Sequence, residues 1–463
     1  MMNMKRKIFI NLISLALGIT FAGANDSFQL EKRDIVIPYI TKNGDVDRRT
    51  VRVLIPETAQ KPVPLIFFAH YPTNENAADV IEFFNKGWAI AMMADFKGAE
   101  HNSALTDDNL VFNSAALSVV RKLPEIDRTR IGVMGGSAGG YTSLMLSALH
   151  LGICSSVSIA GITNIRFNIP DYFVHAHSYN LREIEKLNAD ERNNMERRLE
   201  VMPIPVLGSI FDIFIPLTHN FPDPNDADRW AAFSPSSLTG CFSNPVLHTH
   251  FTSDILVPVD QVTKKYTYPN GSTLPAGFKL RLSQFDLPEK LQLSMAEATP
   301  VEDLSERLVT IPEGSILIPE FDVSKRLNII VYDEGPVEAT AGHQKHPTGY
   351  FSFTNYFETH FARTSRLTNL LTVDKLALLA ERYAGRCIQL PVRQTTDETL
   401  YGSAARYRAD VMDELTDYAK SREKDKLTTV FQKTAAKRPD LSITLDEIIT
   451  ALYKTSGEDK SKK

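Results

Sequence analysis

The chain has 463 residues, enough to bury a large core in one big domain or in two to three ordinary ones. Its 43% hydrophobic and 23% charged residues are ordinary for a soluble globular enzyme. The net charge of -5, with no basic block, argues against a nucleic-acid partner.

Residues 1 to 24 have the form of a secretory signal. Lys5, Arg6 and Lys7 make a basic start, an apolar run extends from Ile8 to Phe21, and Ala22-Gly23-Ala24 fits an A-x-A cleavage site. The run is short for a membrane span, and no cysteine follows it to carry a lipid. The mature protein is therefore expected to start near Asn25 and to be secreted or periplasmic, with no membrane span. The cysteines are Cys154, Cys241 and Cys387, so at most one internal disulfide can form, and Cys154 is expected as a buried, inert thiol.

Arg33–Ile40 and Arg49–Pro56 alternate like an antiparallel hairpin around Lys42-Asn43-Gly44-Asp45. Val63–His70 is a continuous apolar run, the pattern of a strand covered on both faces in a parallel sheet. A helix over Glu75–Lys86, a strand over Trp88–Asp95, a helix over Asn113–Leu123, a strand at Ile131 and another at Cys154–Ala160 continue the alternation. Strands at Pro245–Phe251 and Leu327–Asp333 bring the expected number to eight, in a doubly wound, mostly parallel α/β sheet.

Between the Ile131 strand and a helix over Tyr141–His150 lies Gly135-Gly136-Ser137-Ala138-Gly139. The G-x-S-x-G spacing suits a sharp strand-to-helix turn with a serine at its tip, where small neighbours avoid collision with the flanking backbone. The helix N-terminus beside Ser137 turns unpaired N–H groups and a positive dipole end toward any oxyanion formed there.

The stretch Ile126–Gly140 resembles the nucleophile region of the alpha/beta-hydrolases, in particular the prolyl-oligopeptidase-like, acetyl xylan esterase and dienelactone hydrolase branch. The resemblance covers about residues 33 to 362 and implies a serine nucleophile, an acid after the seventh strand and a histidine after the eighth. Asp254 matches the acid position ahead of Val257-Pro258, although His250-Phe251 stands where the family often has His-Gly. Asp260 fits better as a helix N-terminal residue. For the base, Gly342-His343 resembles the family's Gly-His, with His346 as the alternative three residues on. His70-Tyr71 stands where the family builds half of its oxyanion hole, which implies the N–H groups of Tyr71 and Ala138 as donors, or the Tyr71 phenol. His248-x-His250 and His175-x-His177 could place two rings on one face, but no carboxylate and third histidine surround them, so neither a metal nor any other cofactor is expected.

Two inserts enlarge the fold. Residues 163–232 occupy the family's usual lid position, with a charged helix over Leu181–Leu199 and a proline-broken apolar run over Val201–Leu217, in which Phe211 and Phe214 are candidate substrate-binding residues. Residues 264–326 are expected to add to the rim. The hydrolase domain is thus placed at 25–362, followed by a helical extension over 363–463 in which Thr444 and Glu447 suggest a capping box. The implied activity is hydrolysis of an ester through an acyl-enzyme. The rivals are a peptidase, which in this branch carries some 300 residues of propeller ahead of the hydrolase domain, and a non-catalytic binding protein on the same scaffold.

Overall fold

The structure is a computed structural model that describes residues 28–41, 45–94, 107–202, 227–252, 254, 256–263, 273–274, 278–279, 294–311, 316–333, 351–363, 371–386, 404–420 and 424–457. Its centre is a sheet of nine strands: β1 (Leu30–Ile40), β2 (Val46–Pro56), β3 (Val63–Phe68), β4 (Ala89–Met93), β5 (Ile126–Gly136), β6 (Ser155–Ile159), β7 (Val246–Phe251), β8 (Leu304–Thr310) and β9 (Leu327–Asp333). They lie in the order β1-β2-β4-β3-β5-β6-β7-β9-β8. The β1–β2 and β2–β4 pairs are antiparallel, and every other pair in this sheet is parallel.

Apart from β8, this is the strand order of the alpha/beta-hydrolase fold. The sheet has nine strands rather than the expected eight because the second insert contributes β8, which pairs along β9 from Leu304 opposite Leu327 to Thr310 opposite Asp333. Its half-polar, partly exposed sequence, Leu-Ser-Glu-Arg-Leu-Val-Thr, suits an edge strand and hides it from a search for apolar runs.

Strands β3, β4, β6 and β7 are buried along their whole length, as strands covered on both faces must be. On one face, α1 (Ala78–Asn85) and α8 (Thr354–Ala362) bring Phe83, Phe84, Tyr356 and Phe357 against Ile66, Ile90 and Met134. On the other, α2 (Asp107–Val120) and α3 (Ala138–Leu149) pack Phe112, Ala116 and Leu146 against Val53, Phe67 and Val133. Cys154 and Cys241 are both buried thiols outside any disulfide. Burial pushes the Cys241 thiol up to about 12, while the Cys154 thiol donates to the carbonyl of His360 at 3.3 Å.

The charged stretch of the first insert forms three short helices, α4 (Val174–Ile184), α5 (Ala189–Asn193) and α6 (Met195–Val201), in place of one. Asn188 and Asn194 interrupt it, each accepting from N–H groups of the following helix as an N-cap does. A short helix α7 (Ala227–Ala232) leads out of the insert. The extension contains α9 (Val373–Tyr383), α10 (Ala404–Lys420), α11 (Lys424–Lys437) and α12 (Ser442–Gly457) around its own apolar cluster, which includes Leu376, Val411, Phe431 and Leu445. Thr444 lies inside α12 rather than capping it, because a 3-10 turn at Pro439–Leu441 starts the helix at Ser442. Among the described residues no helix is long and apolar enough to cross a membrane.

Candidate active site

Strand β5 ends at Gly136 and helix α3 starts at Ala138, so Ser137 alone makes the turn. Its φ of 53° and ψ of −119° form a conformation that costs a side-chain-bearing residue about 1 to 3 kcal/mol. The surroundings impose it. The Ser137 N–H continues the β5–β6 ladder by donating to Ile159 O at 2.8 Å, while Ser137 O accepts the Tyr141 N–H at 3.0 Å as the first bond of the helix. The two motif glycines make room for the turn: a Cβ on Gly135 would lie 2.5 Å from the carbonyl carbon of Gly139, and one on Gly139 would lie 2.6 Å from Ala69 O. The half-buried Ser137 thus stands at the carboxyl edge of the sheet, at the positive end of α3, with Ala138 in the first helical position.

The strand after β3 in the sheet order carries this serine, and β3 itself leads into His70 and Tyr71. His70 has a φ of 70°, and a buried amide network holds it there. Its N–H donates to Asn113 Oδ1 at 3.0 Å, and its ring Nδ1–H donates to Asn109 Oδ1 at 3.1 Å. Asn109 Nδ2 reaches Thr142 Oγ1 at 3.2 Å, and that hydroxyl donates to Ala138 O at 2.9 Å. Two asparagines of α2 therefore tie the His70 turn to the first turn of α3. Burial lowers the His70 pKa to about 4, so the ring is neutral at ordinary pH.

Tyr71 lies with its ring edge-to-face against His70, at a centroid distance of 4.2 Å, and its Cδ2 is 3.4 Å from where a Gly139 Cβ would stand. Its own N–H already donates to Ala69 O at 2.9 Å. Of the two groups of Tyr71 that could serve an oxyanion, the backbone N–H is engaged by Ala69 O, and burial keeps the phenol protonated by raising its pKa.

Asp254 follows β7 at the same edge and is fully buried. Its Oδ1 accepts the N–H groups of Leu256 and Val257, each at 2.9 Å, which fixes the carboxylate within an Asp-initiated turn. Ser137 follows β5 and Asp254 follows β7, strands that lie two apart in the sheet, about 10 Å from axis to axis at some 4.8 Å per strand. Strand β9, from which the loop of His343 and His346 departs, lies beside β7, with Thr252 N donating to Tyr332 O at 3.0 Å. Both histidines lie outside the described residues, as do residues 1 to 24, Phe211, Phe214 and Cys387. Asp260 sits in a 3-10 turn, and burial raises its pKa to about 7. His360 is packed inside α8.

A second serine, histidine and acid row occurs where sequence gave no hint of it. Ser114 Oγ is 2.6 Å from His150 Nε2, and His150 Nδ1 is 2.6 Å from Glu414 Oε1. All three are buried; Ser114 is in mid-helix, and Glu414 is flanked by Arg382 and Arg121. The connectivity is that of a triad, but without access or a helix N-terminus it cannot act on a substrate. Reach, backbone strain and dipole distinguish Ser137 from it.

No family model matches the chain, and no curated protein matches its sequence. Solved structures match in part. An acylaminoacyl peptidase of Pyrococcus horikoshii is 14% identical over 77% of this chain and 44% of its own, with a TM-score of 0.40. A puromycin-hydrolyzing peptidase of Mycobacterium tuberculosis is 16% identical over 52% of this chain and 33% of its own, at 0.33, and an esterase of Pyrococcus furiosus is 17% identical over 52% and 77%, at 0.32. The matched part spans less than half the length of either peptidase. By its own strand order and by the serine turn between β5 and α3, the chain has the alpha/beta-hydrolase fold.

Proposed function

We propose that the protein is a serine hydrolase that cleaves a carboxylic ester outside the cytoplasm. The observation that carries this reading is Ser137, held at φ 53° between β5 and α3. Ser137 attacks the carbonyl carbon while a histidine of the loop after β9, His343 by its Gly-His context, takes the hydroxyl proton. Asp254 orients that histidine and stabilises its positive charge. The Ala138 N–H and the Tyr71 phenol receive the developing oxyanion. The same histidine then protonates the leaving alkoxide, and water repeats the cycle on the acyl-enzyme. Phe211 and Phe214 of the first insert, which lie outside the described residues, are the proposed contacts of the acyl group.

The test is Ser137→Ala assayed on acetyl and aromatic esters alongside aminoacyl amides, with circular dichroism to follow folding. Loss of several orders of magnitude on esters in a folded variant is expected. Activity within about tenfold of wild type removes the nucleophile. Amides hydrolysed faster than esters, and lost with Ser137, would make the protein a peptidase.

A further inference from the structure

Beneath the candidate site runs a buried row of hydrogen bonds. Ser158 of β6 and His248 and His250 of β7 point to the face that α3 covers, and all three are fully buried. Ser158 Oγ is 3.1 Å from His248 Nδ1, His248 Nε2 is 3.1 Å from His250 Nδ1, and His250 Nε2 is 2.7 Å from Val257 O. The rings stack at 5.3 Å. A carbonyl only accepts, so His250 Nε2 carries a hydrogen. With one proton on each ring the row then has a single direction. His250 Nδ1 accepts from His248 Nε2–H, and His248 Nδ1 accepts from the Ser158 hydroxyl.

One end of the row lies beside the first turn of α3 and the other beside the acid turn. Ser158 Oγ lies 2.9 Å from where a Cβ on Gly140 would be, three residues after Ser137. At the other end, Val257 is the residue whose N–H holds Asp254 Oδ1, and His250 Nε2 lies 3.7 Å from Asp254 Oδ2. The acid turn is thus gripped from within by the Leu256 and Val257 N–H groups and from below by His250. The lid insert adds Asn168 Nδ2 donating to Leu256 O at 3.3 Å.

We propose that His250, backed by His248 and Ser158, is a positioning residue that holds the Asp254 turn through Val257 O and keeps the carboxylate in one orientation toward the base. The proposal rests on the serine-hydrolase reading for its kinetic consequence. Its structural consequence is independent of turnover.

The experiment compares His250→Leu, His250→Gln and His248→Leu in the full chain, using hydrogen exchange and the pH dependence of ester hydrolysis. In His250→Leu the Leu256 and Val257 amides should exchange at least about tenfold faster, while amides of β5 stay protected. The kcat should fall by about 10- to 100-fold with KM little changed, as for an outer partner of a reacting group. The acid limb of kcat/KM should move to lower pH, because a loosened carboxylate supports the imidazolium less. Gln carries an N–H near the Nε2 position, so His250→Gln should restore most of all three. Should His250→Leu fail to fold, His248→Leu, one bond further away, should give the same pattern in smaller measure.

Unchanged exchange at Leu256 and Val257 in whichever leucine variant folds overturns the proposal. So does a rate loss without movement of the acid limb, which is what simple destabilisation gives. Ester hydrolysis surviving Ser137→Ala removes the hydrolase reading instead, and the exchange result still decides what His250 holds.

Discussion

Lys375 Nζ donates to the carbonyl of Ala148 at 2.5 Å, so the C-terminal extension grips the far end of the helix that begins beside Ser137. The same ammonium reaches Ser147 O at 3.0 Å and His150 O at 2.8 Å, and Arg382 reaches Leu149 O at 3.1 Å. These are last-turn carbonyls left over by any helix, at its negative end. Lys375 is fully buried, and three acceptors match its three N–H bonds. Lys375→Met is therefore expected to strand buried carbonyls and to cost about 3 kcal/mol or more in urea unfolding. A loss below about 0.5 kcal/mol would mean that water replaces the ammonium.

The motif glycines allow a controlled comparison. A Cβ on Gly135 or Gly139 would strike backbone, whereas one on Gly136 meets nothing nearer than Ile159 O at 3.9 Å. Gly135→Ala and Gly139→Ala should each lower kcat by about 100-fold through displacement of the serine turn. Gly136→Ala should stay within a few-fold of wild type. Equal losses at all three positions would show that the turn is not held by these two close approaches.

What the sequence made legible was local. Gly135, Ser137 and Gly139 are close in the chain, and the turn they allow is closed by bonds to Ile159 and Tyr141 that follow from strand and helix continuity. The apolar runs of β3 and β4 were equally plain, because both faces are covered. The missing parts depend on contacts between distant residues or on weak local signals. His150 and Glu414 are 264 positions apart, and neither has a flanking motif. The asparagine pair of α2 lies inside a helix, where nothing marks it as support for His70. Strand β8 is half polar because it is an edge, and Asn188 and Asn194 are ordinary cap residues within a charged run. The bond from Tyr71 N–H to Ala69 O, which bears on the choice between N–H and phenol, has no signature in the local sequence.

Buried histidines, His70 and His360 among them, set an acid limit on stability. Burial lowers the pKa of His70 to about 4, and burial followed by the charge of Arg363 does the same for His360. Unfolding returns both to about 6.5, so between pH 6.5 and 4 the unfolded chain binds protons that the folded chain does not. Stability should therefore be full above about pH 7, fall as pH drops toward 4 and level off below for these two groups, by about 3 kcal/mol each. His360→Asn should make the fall shallower by about one proton in denaturant titrations across this range. An unchanged slope would mean that His360 titrates alike in both states.

The last prediction separates the two ways of building the oxyanion hole. The Tyr71 N–H is engaged with Ala69 O, and the ring lies against His70 and over Gly139, so the phenol is the donor proposed here. Tyr71→Phe keeps the ring packing and removes only the hydroxyl. If that hydroxyl meets the oxyanion, kcat should fall by about 100-fold or more with KM within a few-fold, since the bond is made as charge develops. Unfolding temperature should hardly change. Full activity in Tyr71→Phe would return the role to main-chain donors, which requires the Tyr71 to Ala69 bond to break when substrate binds. Hydrogen exchange of the Tyr71 amide with and without a phosphonate inhibitor on Ser137 then gives the answer: new protection marks a backbone donor, and an unchanged rate excludes it.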